Sequence, residues 1–188
     1  MPRGRRIIPE YGTFHITMRG NNKRAVFRYN HEFRFLKLLL LRYKSKFEFL
    51  LYHYAIMNNH PHLLIKATEK TNISKLIQGI ELAYYHYQHK RYGYTGHRWQ
   101  GRFLSQVIED EKYLFNSGIY IEKNPIKAGL VEKPEEYKWS SYRHYAFGET
   151  DPLIDNNPLY ACLGKTDEEC QKAYRELMAA AILADKNC

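Results

Sequence analysis

Two apolar runs stand back to back in this chain with only Asn58-Asn59 between them. Phe47–Met57 ("FEFLLYHYAIM") and His60–Lys66 ("HPHLLIK") each carry the aliphatic and aromatic content of a strand, and a two-residue polar break between strands is a hairpin connection. A parallel pairing would need a crossover of about a dozen residues or more, so these two strands are antiparallel. Every other element must fit around that hairpin. Tyr11–Arg19 ("YGTFHITMR") reads as a strand ended by the turn "GNNKR", and Arg102–Ile108 reads as a fourth strand. Glu32–Lys46 has Phe35, Leu38, Leu39 and Arg42 at helical spacing, and Thr71–Arg91 puts Ile73, Leu76, Ile77, Ile80, Ala83 and Tyr84 on one face, ended by "RYGYTG". Asp110 is placed to cap a further helix running to Lys123, with Gly129 shortly beyond.

The order strand, helix, strand, strand, helix, strand predicts an α+β protein: a ferredoxin-like βαββαβ antiparallel sheet with helices on one face. To it are added a tyrosine-bearing helix after the last strand and a terminal helical extension. The expected organisation is a basic N-terminal arm over residues 1–10, a main domain over 11–147, and an extension over 148–188. In that extension the loop-like "GETDPLIDNNPLY" precedes a helix over Asp167–Ala184. The arm carries Arg3, Arg5 and Arg6, which read as a solvated tail, with phosphate or groove contact as the sharper alternative.

The net charge of +9 with 17 tyrosines points to a polyanionic partner, and nucleic acid suits such a chain better than lipid because bases stack on rings while cations hold phosphates. The start "MPRGRRIIPEYG" lacks the apolar run of a signal peptide, and the most apolar segments fall short of the ~20 residues a membrane helix needs. Three scattered cysteines, Cys162, Cys170 and Cys188, fit neither a disulfide framework nor a cysteine metal cluster; a reducing cytoplasm is the expected setting, with no membrane partner.

The pair His60 and His62 is the least ordinary feature. Residues two apart on a strand point to one face, so two imidazoles stand side by side, while Leu63 and Ile65 turn to the opposite face and the helices. The histidines are therefore expected on the face the helices leave bare, as two adjacent nitrogen donors for a metal, or else as two half-exposed histidines on an open sheet. Further along, Tyr120 and Asn124 are four apart and share a helix face. His86, His89 and His97 read as surface residues beside a basic groove.

Five segments in order, "RGNNKR", "MNNHPHLLI", "RWQGRF", "YLFNSGIYIEKNPIKAGLV" and "WSSY", closely resemble the single-tyrosine HUH transposases, in particular the REP-associated branch, over roughly Tyr11–Phe147. The resemblance implies His60 and His62 as metal ligands, Tyr120 as nucleophile and Asn124 as a third, softer metal ligand, because Pro125 disfavours helical geometry just before it. It implies a divalent cofactor, Mg or Mn, that binds the scissile phosphate and acts as Lewis acid and template. It further implies cleavage and rejoining of single-stranded or hairpin DNA, such as REP-like palindromes, through a 5′-phosphotyrosine, by a monomer or homodimer. The sequence departs from the family pattern in having Pro61 between the two histidines and Glu122 two residues after the tyrosine, where a histidine is common; Glu122 is expected to slow or tune catalysis.

The stretch "YYHYQHKRYGYTGHRWQGRF" interleaves Lys90, Arg91, Arg98 and Arg102 with Tyr92, Tyr94 and Trp99, and can track a strand by charge while stacking its bases. Arg19, Asn21, Asn22, Lys23 and Arg24 form a second candidate DNA contact. "WSSY" (Trp139–Tyr142) is expected to be packing that anchors the tail of the domain. Charge and aromatics serve a non-catalytic, sequence-specific hairpin-binding protein on the same fold equally well; the combination of His60, His62 and Tyr120 favours the enzyme. A metal-dependent nuclease using water would keep the histidines and dispense with the tyrosine.

Overall fold

The computed structural model describes residues 9–186; the basic arm with Arg3, Arg5 and Arg6, and Cys188, lie outside the described residues. Four strands, β1 (Gly12–Thr17), β2 (Leu50–Ile56), β3 (Pro61–Ala67) and β4 (Leu104–Ile108), form one sheet in the order β2-β3-β1-β4 with every neighbouring pair antiparallel. That is the ferredoxin-like arrangement. The hairpin closes as its two-residue connection requires, with the Met57 N–H donating to the His60 carbonyl.

Helix α1 (Asn30–Phe47) and helix α2 (Ile73–Tyr92) cover one face of the sheet. Phe14 and Ile16 of β1 and Leu63 and Ile65 of β3 meet Leu36, Leu40, Leu76, Ile77 and Ile80 there, all fully buried. Side chains of this kind contribute ~1.5–3 kcal/mol each on burial, so this face is the main core. Helix α1 runs further than its apolar spacing suggests, ending where Glu48 turns left-handed (φ 50°). For that reason β2 begins at Leu50 rather than Phe47.

The opposite face is not bare, contrary to the expectation of helices on one side. Helix α3 (Glu111–Lys127) returns across it, and Leu114 and Ile121 pack on Tyr52, Ala55, Leu64 and Ile108. The physical reason is legible in β2: its residues are apolar or aromatic without alternation, as in a strand covered on both sides. Helix α4 (Tyr142–Phe147) and helix α5 (Asp167–Lys186) build a third cluster around Ile119, Tyr145, Tyr174 and Met178 against the outer side of α3.

The free edge of β2 is occupied by the chain that follows α3. Ile56 N–H donates to the Trp139 carbonyl, Ser141 N–H to the Tyr54 carbonyl, and Asp155 N–H to the Leu51 carbonyl. Trp139 stacks on Phe33 and Ser141 Oγ accepts from Tyr54 N–H, so "WSSY" anchors the tail as its composition suggests. Lys37–Asp151 (2.9 Å) and Lys44–Asp155 (2.6 Å) tie the same segment to α1.

Candidate active site

The strand period places His15 of β1, His62 of β3 and His60 just before it on the α3 face. Their rings form a row: His60 to His62 centroids are 4.6 Å apart and His62 to His15 5.1 Å. The row is not open sheet surface. His62 is only 6% exposed, because α3 passes over it.

Hydrogen bonds decide which nitrogens face outward. The Asn59 amide is oriented by its Nδ2 donating to the Lys23 carbonyl, so its Oδ1 accepts from His60 Nδ1 at 2.5 Å. His62 Nδ1 lies 2.8 Å from His15 Nε2 and 3.3 Å from Thr17 Oγ1, both able to accept. With the protons on Nδ1, each of His60 and His62 keeps a bare lone pair on Nε2. That of His62 is buried without a partner, and the opposite tautomer would bury an N–H with no acceptor. Burial and the neighbouring imidazoles of His60 and His15 hold His62 down to about 3; burial and His60 hold His15 down to about 4; burial and Arg19 lower His60. All three rings are neutral at pH 7, the form that ligates a metal.

Tyr120 stands over this row from α3. Its ring centroid is 6.0 Å from His15 and 6.3 Å from His62, both edge-on, and Lys127 Nζ lies 5.8 Å from it. Tyr120 is 42% exposed, against 6% for His62 beneath it. Asn124 sits one turn on. Pro125 does not end the helix, which continues to Lys127. Proline removes an N–H donor, and the Asn124 Nδ2 supplies hydrogens instead, to the Tyr120 carbonyl (2.9 Å) and the Ile121 carbonyl (3.3 Å). The Asn124 Oδ1 is left as the free acceptor. No hydrogen bond joins Asn124 to the histidines among the described residues, and no group of three or more His, Cys, Asp or Glu side chains among them is placed to hold a metal ion.

Glu122 does not face the site. It is fully buried, with Oε1 accepting from His53 Nδ1 (2.9 Å) and Ser141 Oγ (2.5 Å) and Oε2 from Tyr174 Oη (2.7 Å). Asn157 Nδ2 lies 3.2 Å from His53 Nε2. Gly118 gives the His53 ring its room: a β-carbon there would lie 2.5 Å from Nε2. Glu122 therefore bolts α3 to β2, α4 and α5. Helix spacing turns Tyr120 outward and its neighbour two residues on inward, so the Glu122 carboxylate meets interior partners and not the histidine row.

The two predicted DNA segments come together. Asn21 N–H donates to the Arg98 carbonyl, Gln100 N–H to the Arg19 carbonyl, and Gly20 bridges to Trp99. Gly20 N–H also donates to the Asn59 carbonyl, which joins this ribbon to the histidine turn. Arg19, Asn22, Lys23, Arg24 and Arg102 are exposed along it, and Lys90 and Arg91 are exposed at the end of α2. Asn22 (φ 51°) and Lys23 (φ 57°) take left-handed backbone in the turn. A cavity of about 290 Å³ opens beside the ribbon, lined by Arg24, Arg28, Tyr29, Tyr92, Tyr94 and Arg98. Trp99 is less available than its neighbours: its ring packs on Phe27 and Tyr84 and its Nε1–H donates to the Glu81 carbonyl. His89 and His97 have partners on the same loop, His89 Nδ1 at the Tyr94 carbonyl and the His97 carbonyl accepting from Tyr94 Oη.

Sequence reasoning missed His15 and Lys127. The alternation of Phe14 and Ile16 with Thr13, His15 and Thr17 puts His15 on the histidine face and was there to be used. Lys127, seven residues after Tyr120, lies two turns along the same face.

A ferredoxin-like sheet with a histidine pair under a half-exposed tyrosine on the helix after its last strand defines the class of single-tyrosine HUH proteins. The chain belongs to the IS200-like transposase family, whose model ("Transposase IS200 like") matches residues 10–124. It is 29% identical over 110 residues to a Haemophilus influenzae protein named as a REP-associated tyrosine transposase; the match takes in 52% of this chain and 61% of that protein's length. In fold it is similar to a REP-associated tyrosine transposase solved bound to a REP hairpin, with TM-score 0.68, 21% identity, and coverage of 84% of this chain and 93% of that one. Family membership carries the expectation of a divalent metal. No helix among the described residues is long and apolar enough to cross a membrane.

Proposed function

We propose that this protein cleaves and rejoins single-stranded DNA next to a hairpin, with Tyr120 as nucleophile. The observation that carries the reading is the half-exposed Tyr120 ring set 6.3 Å from His62, over a buried imidazole lone pair with nothing else to bind. His60 Nε2, His62 Nε2 and the Asn124 Oδ1 are the donors for a divalent ion, and this nitrogen-and-oxygen set suits Mg or Mn. Such an ion, when bound, neutralises charge on the scissile phosphate and polarises it. The Tyr120 oxygen attacks phosphorus in line, the bond to the 3′-oxygen breaks, the phenol proton is released and the 3′-oxygen leaves as a hydroxyl. Lys127 places a cation beside the nucleophile. The 5′-phosphotyrosine keeps the energy of the phosphodiester, so a 3′-hydroxyl returning to the site reverses the step and joins strands.

Substrate position falls to the ribbon of Arg19–Arg24 and Arg98, with Lys90, Arg91 and Arg102 holding phosphates further along. The substrate proposed is a hairpin with single-stranded flanks, of the REP-like kind named for the solved relative, acted on by the main domain over 11–147 with the 148–188 extension holding α3 in place.

The test is a covalent-adduct assay: labelled hairpin DNA with single-stranded flanks, protein and Mn or Mg, run on a denaturing gel. Wild type is expected to give a metal-dependent adduct. Tyr120→Phe is expected to give none while still binding DNA, and His60→Ala/His62→Ala to lose both the adduct and the metal response. Cleavage surviving in Tyr120→Phe would mean a water nucleophile, and binding with no cleavage a binding protein.

A further inference from the structure

The cation beside Tyr120 is held from another helix. Lys127 Nζ stands 5.8 Å from the centre of the Tyr120 ring, and Asp185 Oδ2, in the last described turn of α5, lies 3.1 Å from that nitrogen. The other oxygen, Asp185 Oδ1, accepts from Lys123 Nζ at 2.8 Å, and Lys123 also donates to the Ala181 carbonyl one turn back on α5. The two halves of this clasp differ. The Lys123 side chain is 12% exposed and the Lys127 side chain 48%. An exposed ion pair adds little to stability, so the Lys123 half is the one that ties α5 to α3. A cavity of about 290 Å³ opens beside the clasp, lined by the three charged groups with Ile126 and Ile182, so packing does not confine the Lys127 stem. The carboxylate is also placed against the helix dipole, whose negative end is at the C-terminus. Hydrogen bonds from Lys123 and Lys127 nevertheless hold its carboxyl below the usual range, so it is charged at neutral pH.

We infer that Asp185 is a positioning residue for strand cleavage: it holds the Lys127 ammonium beside Tyr120 before DNA arrives. A lysine ammonium is a compact charge on a flexible four-carbon stem, and a free one is near the nucleophile for only part of the time. Tethered to a carboxylate, it is already in place when negative charge builds up as Tyr120 attacks phosphorus, and no reorganisation is needed at that moment. Lys123 fixes the orientation of the carboxylate and leaves one oxygen for Lys127. The pairing also offsets the charge of Lys127 toward distant phosphates, so its effect falls on the cleavage step more than on DNA binding. Asp185 acts only through Lys127.

The inference rests on the proposed role of Tyr120, and the experiment separates the two. Wild type, Asp185→Asn, Asp185→Glu, Lys127→Met and the double variant Asp185→Asn/Lys127→Met are each mixed in excess with labelled hairpin DNA carrying single-stranded flanks, with Mn present. Single-turnover adduct rate, DNA affinity and thermal unfolding are read for each. Asparagine keeps an oxygen for Lys123 but loses the charge that holds Lys127. Asp185→Asn is expected to slow adduct formation at saturating protein by about 10-fold, with DNA affinity and unfolding temperature unchanged. Asp185→Glu is expected to recover most of the rate. The double variant is expected to be no slower than Lys127→Met, because both changes remove one contact. A double variant slower than Lys127→Met, with a lowered unfolding temperature, would make Asp185 a structural clasp and overturn the inference. So would Asp185→Asn reacting as fast as wild type or faster, and either result leaves the role of Tyr120 standing. Absence of a metal-dependent adduct from wild type overturns the proposed function and the inference with it.

Discussion

At the scale of single residues, the site is made by imidazole orientation rather than by histidine count. His15 has no assigned chemistry, yet it is the acceptor that lets His62 keep its proton on Nδ1 and its lone pair on Nε2. Partners of this kind fix tautomer and ring angle, and their loss costs about 10- to 100-fold in metal affinity. His15→Ala is therefore expected to weaken Mn binding by about that factor in calorimetric titration, with the fold retained. The same residue sets an acid limit. His15 and His62 titrate at about 4 and about 3 in the folded chain against 6.5 for a free imidazole, so the unfolded chain takes up protons that the folded one refuses. Stability from this source is complete above about pH 6.5 and is lost as pH falls toward 4. In urea unfolding between pH 7 and pH 4, His15→Ala is expected to lose less stability than wild type.

At the scale of elements, α3 has two faces with separate duties. Tyr120 looks toward the histidines and solvent, with Lys127 beside its ring and paired to Asp185 at 3.1 Å, while Gly118 and Glu122 lock into the interior. Glu122 accepts hydrogen bonds from three side chains, His53, Ser141 and Tyr174, that come from three other parts of the fold. A hydrogen bond to a charged group is worth ~1.5–3 kcal/mol. Tyr174→Phe is expected to lose about that much stability in urea unfolding and to slow adduct formation in single turnover, with DNA affinity little changed, because it loosens the helix and not the binding ribbon. Gly118→Ala drives a methyl group into the His53 ring and is expected to cost ~1–3 kcal/mol by overpacking in the same assay.

At the scale of the whole molecule, residues 148–186 back the helix that carries Tyr120. Their loop closes the β2 edge through Asp155, and α5 delivers Tyr174 to Glu122 and Asp185 to Lys123 at 2.8 Å. A chain truncated after Phe147 would expose the cluster of Ile119, Tyr145 and Ala146 and leave Glu122 short of a donor. It is expected to bind a hydrophobic dye and to lose sharp thermal unfolding while keeping much of its secondary structure. A truncated chain that unfolds cooperatively and still forms the adduct would show the extension to be dispensable.

The strand and helix order, the hairpin and the pairing of His60 with His62 could all be read along the chain, because periods of 2 and 3.6 and turn chemistry act over a few residues. The "WSSY" anchor was also legible, as apolar text with no other use, whereas the joining of the two basic segments through Asn21 and Arg98 was not, because it depends on backbone hydrogen bonds between distant turns. Helix length was not: Pro125 argues locally for a break, and only the Asn124 amide, turned back onto the Tyr120 and Ile121 carbonyls, lets α3 run on to Lys127. Nor was the burial of His62 or the inward turn of Glu122. Those depend on where α3 lands, and that is settled by apolar groups on β2, β3, β4, α4 and α5, dozens of residues apart in sequence, finding one shared interior.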